Sequence, residues 1–320
     1  MSQCVNADQL LEMIVNLTAQ FLHKIGFPKP KQVRGKPGRI RGAFIRADVD
    51  DCLIDRGLVT LQVLEDFLLW VLMKHVQTQL TEEFLQDFER AKQTDAFLRF
   101  RSFRVNVLSG DAIVPWSPIE LWDTLFHPWP DDLPRTVPHP EIIYWLGKLI
   151  QPGKDLRSAW FDFWRNRFFI DNVEKARSVK DAPLFYRRVV RESGLGFSTL
   201  TARAESMSIE GHGGMDLRPS TLEELNRHQF PLGPLYMKPM RWKETELEFK
   251  KRHFDTHGVW SGSFPLVYID DKPEVVNSYI NSMERQEADA FLGVLFQGSY
   301  RSTVELDPRA VVLRGYTFKA

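Results

Sequence analysis

The stretch from Val114 to Ile170 constrains this chain more than any other. It carries six of the nine tryptophans among 320 residues (Trp116, Trp122, Trp129, Trp145, Trp160 and Trp164) and a proline series at Pro115, Pro118, Pro128, Pro130, Pro134, Pro138 and Pro140. Large flat rings bury much area at small conformational cost, and closely spaced prolines fix the backbone between helices. The region therefore reads as a rigid core or a docking surface rather than a catalytic signature. Ser117-Pro118-Ile119-Glu120 is a capping sequence with proline at the first helical position, and it predicts a helix to about Phe126. Pro140 opens a second helix, and a third from Asp155 to about Arg177 places Leu156, Trp160, Phe163, Trp164 and Phe168 on one face.

Before this stretch, apolar residues from Leu10 to Ile25 recur at helical spacing behind Asn6, a plausible cap. Next comes a basic run rich in proline and glycine, with Lys29, Lys31, Arg34, Lys36, Arg39, Arg41 and Arg46 and no acid until Asp48. It predicts an extended arm suited to an acidic protein groove, or, through residues 29–46, to nucleic acid or anionic lipid. A buried helix is expected over roughly 60–79 and another from Thr81. Phe103-Arg104-Val105-Asn106-Val107 alternates as a half-buried strand does. Beyond Pro183 short helices follow, with strands expected after Gly194-Leu195-Gly196, at 264–269, near Val304 and from Ala310 to Phe318; a helix opened by Pro273 is expected to run to about Phe296.

The count favours an α+β fold, predominantly helical with a few short strands, because strands and helices do not alternate. The divisions expected are an amphipathic helix (1–27), the basic arm (28–47), an aromatic helical core (48–193) and a smaller α+β region (194–320).

Chemistry is harder to read. Lys+Arg and Asp+Glu both number 42, so the whole-chain field favours neither nucleic acid nor membrane. No phosphate-loop pattern occurs, and Gly194-Leu195-Gly196 is followed by Thr199 where a dinucleotide loop needs its third glycine. No G-x-S-x-G nucleophile turn is present. His253 and His257 are four apart and, with Asp255, His228, Asp270 and Asp271, are the candidate metal ligands; a helix-terminal role for the histidines competes with that reading. His212 sits in a glycine-dense loop that a ligand could approach closely. Adjacent acids such as Asp50-Asp51 and Asp131-Asp132 point apart in extended chain and make poor acid/base partners.

Two cysteines, Cys4 and Cys52, cannot build a disulfide framework, which fits a reducing interior, either cytoplasmic or organellar by uncleaved import. The longest apolar run, 67–73, falls short of the ~20 residues a spanning helix needs. Asp8 and Glu12 stand where a secretory signal would be basic. With no complete catalytic constellation, the expectation is a non-catalytic subunit of a larger assembly. It would need no cofactor and would meet other protein subunits through Trp116, Trp122 and Trp129 and the arm. The alternative is a metal-dependent enzyme acting on a phosphate-bearing or nucleic-acid substrate through His253, Asp255 and His257. A third reading is a nucleic-acid-binding module.

Overall fold

In the computed structural model the described residues are 2–24, 43–73, 81–115, 117–138, 152–168, 173–209, 213–239, 244–257, 265–285, 290–298, 300 and 302–319. Most of the basic arm, including Lys29, Lys31, Arg34, Lys36, Arg39 and Arg41, lies outside them, as do Trp116, Trp145 and His212.

In chain order the elements are β1 (Gln3–Val5), α1 (Ala7–Lys24), β2 (Phe44–Ala47), β3 (Ile54–Asp55), α2 (Gly57–Leu72), α3 (Glu82–Ala91), α4 (Asp95–Ser109), α5 (Pro118–Phe126), α6 (Leu156–Arg167) and β4 (Arg177–Ser178). They continue with α7 (Ala182–Ser193), β5 (Gly196–Ala204), β6 (Ser206–Ile209), β7 (Gly213–Asp216), α8 (Arg218–Arg227), β8 (Leu235–Lys238), α9 (Glu246–His257), β9 (Leu266–Asp270), α10 (Pro273–Arg285), β10 (Phe291–Phe296) and β11 (Val311–Leu313).

Seven of these strands form one sheet in the order β1-β11-β10-β9-β2-β5-β8, and every pairing within it is parallel. The fold is therefore α/β, and the expectation of a predominantly helical α+β chain is corrected. The physical reason lies in connectivity. β2 falls at the end of the basic run, and residues 56–176 separate it from β5, so the strand-helix alternation that marks a parallel sheet is interrupted in the sequence. All five residues of β9 are buried, as are eight consecutive residues from Ser193 to Leu200 leading into β5, so these strands are covered on both faces.

Other expectations change with it. Residues 44–47 of the supposed arm are β2, with the Arg46 side chain buried against Ser198 Oγ at 3.2 Å. The supposed strand at 103–107 lies inside α4, which Thr94 caps by accepting from Phe97 N and which Gly110 ends at φ 87°. Its alternation arose because Val105 is an exposed apolar residue on a helix whose buried face is Ala96, Phe97 and Phe100. The helix opened by Pro273 ends by Arg285, and β10 follows it.

The chain forms two compact units. The first comprises residues 1–55, 177–207 and 216–320 and contains the large sheet; the second comprises 56–176 and 208–215. In the second unit Phe67 gathers Trp122, Trp160 and Phe163 at ring-centroid distances of 6.0, 5.6 and 5.2 Å. Trp122 and Trp160 are 1% and 0% exposed, and Trp160 Nε1 donates to the Pro118 carbonyl at 2.8 Å. Trp129 lies beside Trp122 with the rings tilted, centroids 5.7 Å apart, and donates to the Leu133 carbonyl. Among the described residues of the aromatic stretch, Trp122 and Trp160 thus lie in this unit's own interior. Trp160→Ala is expected to destabilise the unit by about 3–5 kcal/mol through lost transfer energy and the cavity left behind, read as a drop in its denaturation midpoint.

Candidate active site

Strand order fixes where a site can form. From central β2 the chain passes to β5 and then β8 on one side, and returns with β9 to the other side of β2. Adjacent parallel strands whose connections leave in opposite directions open a crevice at their carboxyl ends. Phe44 to Ala47 of β2 run in register with Leu266 to Ile269 of β9, so the residues that follow, Asp48 and Asp270, emerge side by side at that crevice.

Three buried carboxylates meet there. Asp48, Asp270 and Asp271 each place a carboxylate oxygen within 4.8 Å of the others. Lys250, on the sheet-facing side of α9 and 0% exposed, extends Nζ to Asp48 Oδ2 and Asp270 Oδ2, both at 2.8 Å, and to Glu246 Oε1 at 2.6 Å. Around this ammonium the carboxylates are oriented by fixed donors. Val49 N donates to Asp48 Oδ1 at 2.8 Å, Lys272 N donates to Asp270 Oδ1 at 3.0 Å, and the Tyr268 hydroxyl donates to Asp270 Oδ2 at 2.6 Å. Tyr268 is held flat against Tyr279, centroids 4.0 Å apart, and Tyr279 donates to the Lys250 carbonyl. Lys272 Nζ pairs with Glu246.

Four carboxylates (Asp48, Asp270, Asp271 and Glu246) thus face two ammonium groups (Lys250 and Lys272). The surplus negative charge shows in the ionisation equilibria. Burial, against the pull of Lys250 but with the push of Asp270 and Glu246, raises the Asp48 carboxyl to about 7. Burial and then Asp270 and Asp48 drive Asp271 well above the usual carboxylate range. Burial also works against Glu246, yet Lys250 and Lys272 outweigh it and hold that carboxyl at about 2. For Lys250 burial opposes the charge, and Asp270 and Asp48 more than offset it.

The stability consequence has a definite sign. Asp48, raised from an ordinary 3.8 to about 7, binds its proton more tightly in the folded chain. Its contribution is fully present below the unfolded value and is lost as pH rises through 7. Metal-free protein is expected to lose stability in urea unfolding between about pH 5 and about pH 8, and Asp48→Asn to reduce that slope, Asp271 contributing in the same direction. Glu246 has the opposite sign, its contribution being lost as pH falls from 4.5 toward 2, outside this window.

The site suits a hard divalent cation. Asp271 is 5% exposed and its Oδ2 is buried without a hydrogen-bond partner, which is costly unless something else satisfies it. Three oxygen donors converging on excess negative charge match the preference of magnesium-like ions for carboxylates. Among the described residues this is the only group of three potential ligands. Asp270 and Asp271 of the sequence-derived ligand set belong to it; His228, His253 and Asp255 do not. His253 is buried on α9 with its ring 4.4 Å from that of Tyr236, Asp255 is exposed on the same helix, and the His257 side chain is outside the described residues. His228 ends α8. Sequence reading missed Asp48 and Lys250. The signal available was two strand-length stretches, 43–47 (apolar but for Arg46) and 266–269, each running directly into acids.

No protein-family profile and no curated protein matches the sequence. Among solved structures, the chain superposes on a protein from Clostridium difficile assigned as a phosphatase, at 8% identity and TM-score 0.42, covering 88% of this chain and 96% of that one. A haloacid dehalogenase-like hydrolase assigned in Bacteroides fragilis gives 10% identity and TM-score 0.41 over 85% and 97%. A β-phosphoglucomutase assigned in Thermotoga maritima gives 12%, 0.37, and 86% and 94%. These superpositions are loose. The expectation of a non-catalytic structural subunit is corrected: it rested on the lack of any cluster of candidate catalytic groups, and the structure brings Asp48, Asp270, Asp271 and Lys250 together from positions far apart in sequence.

Proposed function

We propose that the chain is a metal-dependent hydrolase of phosphate-bearing substrates, with Asp48 as nucleophile. The observation that carries this reading is the buried Asp48–Asp270–Asp271 group braced by Lys250 at the carboxyl end of the sheet. A divalent cation held by these carboxylates would neutralise and orient the phosphoryl oxygens. Asp48 is the carboxylate best suited to attack. Asp270 already accepts three hydrogen bonds, and burial with the push of Asp270 and Asp48 raises the Asp271 carboxyl, whereas each Asp48 oxygen accepts one donor and the group ionises near neutrality. A carboxylate ionising near 7 is more basic than an ordinary one, and aspartyl phosphates are established covalent intermediates. Lys250 supplies fixed positive charge beside the reacting group and needs no reorganisation to do so.

The test is hydrolysis of p-nitrophenyl phosphate by the full chain with and without magnesium. Cation-dependent release of phosphate, abolished by chelation, is expected. Magnesium should also raise the melting temperature of the native chain, and Asp271→Asn should remove both effects. Absence of any cation-dependent hydrolysis would oppose the proposal.

A further inference from the structure

Arg46 lies within β2, an interior strand of the large sheet, and is 7% exposed. Its cross-strand neighbours are Ser198 on β5 and Tyr268 on β9. The side chain crosses β5 toward β8, the strand at the sheet edge. Nε donates to Ser198 Oγ at 3.2 Å, and the guanidinium carbon stands 5.1 Å from the centroid of the Tyr236 ring on β8. Among the described residues no carboxylate pairs with Arg46, and no group accepts from Nη1 or Nη2. Asp48, two residues on, pairs with Lys250 instead. A buried cation without a counter-charge is costly. A guanidinium with both terminal nitrogens unused is also a fork that matches the oxygens of a carboxylate or phosphate. Nη1 and Nη2 are not among the fully buried atoms that lack a partner, so they keep contact with solvent and a small ligand can reach them. His253, its ring 4.4 Å from that of Tyr236, brings a second nitrogen-bearing side chain to the same place from α9.

We propose that Arg46, with Tyr236 and His253 as walls, forms an oxyanion site on the β8 side of the sheet that takes a small carboxylate or phosphate through Nη1 and Nη2. This site is distinct from the carboxylate group, and the two differ in sign. At the carboxylate group four acids face two ammonium groups, a balance that favours a cation. At Arg46 a guanidinium stands without an acid partner, a balance that favours an anion. The Tyr236 ring covers the face of the guanidinium and leaves its edge, where the N–H groups are, to the ligand. Binding there requires neither a metal nor a reaction at Asp48, so the inference is independent of the hydrolase reading.

Equilibrium dialysis of the full chain, freed of metal with EDTA, against radiolabelled inorganic phosphate and separately against radiolabelled acetate tests this at constant chloride. The expected result is one oxyanion bound per chain without magnesium. Arg46→Met removes the fork and, since the charge it removes has no acid partner, should fold with a melting temperature at or above the native one in chloride alone. It should bind neither anion. Arg46→Lys keeps the charge but loses the fork, and should bind about tenfold or more weakly. Binding of acetate alone identifies a carboxylate ligand and binding of phosphate alone a phosphate; either supports the proposal. Failure of the metal-free native chain to bind either anion overturns it, as does undiminished binding by folded Arg46→Met. If Arg46→Met does not fold, Arg46→Lys decides, and native affinity in that variant overturns the proposal. Binding that appears only with magnesium places the anion at the carboxylate group and overturns it too. None of these results depends on whether the chain hydrolyses p-nitrophenyl phosphate, so the two readings fail separately.

Discussion

Asp48→Asn is expected to reduce phosphate-ester turnover by about 10⁴-fold or more, the scale seen when an enzyme's covalent nucleophile is removed. Asparagine matches aspartate in shape and can still accept from Val49 N, so the backbone after β2 should keep its path. Its amide cannot form the bond to phosphorus. Lys250 would retain Asp270 and Glu246 as partners, so the variant removes one charge from a site that carries a surplus. It should fold, and at about pH 8 the metal-free variant should be more stable than the native chain, because the native chain there pays to ionise a carboxyl raised to about 7. Loss of turnover with retained or increased stability separates a chemical role from a structural one. Loss of both together would contradict the assignment.

Lys250→Met carries the second large effect, and it falls on stability. Methionine approximates the volume of the stem but leaves Asp48, Asp270 and Glu246 facing one another without the ammonium that joins them. Breaking a buried ion network by deleting one partner typically costs about 3–5 kcal/mol, because the charges left behind stay desolvated. The cost should be larger at about pH 8 than at about pH 5, since protonation relieves the stranded carboxylates in acid. Urea unfolding at the two pH values measures this. Added magnesium should restore part of the loss by supplying positive charge to the same oxygens.

Local signals in the sequence were legible where they rest on neighbouring residues. The capping sequence at Ser117 starts α5, with Ser117 Oγ accepting from Glu120 N at 3.3 Å and Pro118 in the first turn. Asn6 and Gln9 close the start of α1 by exchanging side-chain and backbone hydrogen bonds. The sheet was not legible for two reasons. β2 lies at the end of the basic run and was assigned to the arm, and residues 56–176 separate β2 from β5, which hides the strand-helix-strand order that identifies a parallel sheet.

The site was hidden by sequence distance. Lys250 and Asp48 are 202 positions apart, and Lys250 lies in a charged helical segment that gives no sign of a fully buried ammonium. Asp270 and Asp271 were placed in a ligand set with histidines four apart because helical spacing can be seen in a sequence. Register between β2 and β9, which supplies Asp48 instead, can only be seen in three dimensions. Asp50, adjacent to Asp51 in sequence, pairs with Arg203 on β5, a contact that is likewise visible only in three dimensions. The tryptophans mislead in the other direction. Their density suggested a shared surface, yet Phe67 on α2 supplies the ring that Trp122 and Trp160 pack against within their own unit.

The account stands most directly on covalent chemistry at Asp48. Mixing the chain and magnesium with a fast phosphoryl donor such as acetyl phosphate, quenching in acid within the first turnover, and mapping the digested chain by mass spectrometry would test it. The expected result is one added phosphoryl group on the peptide carrying Asp48, absent from Asp48→Asn and lost when the quench is delayed past turnover. Multiple turnovers with no phosphoryl group on that peptide, or turnover that persists in Asp48→Asn, would contradict it.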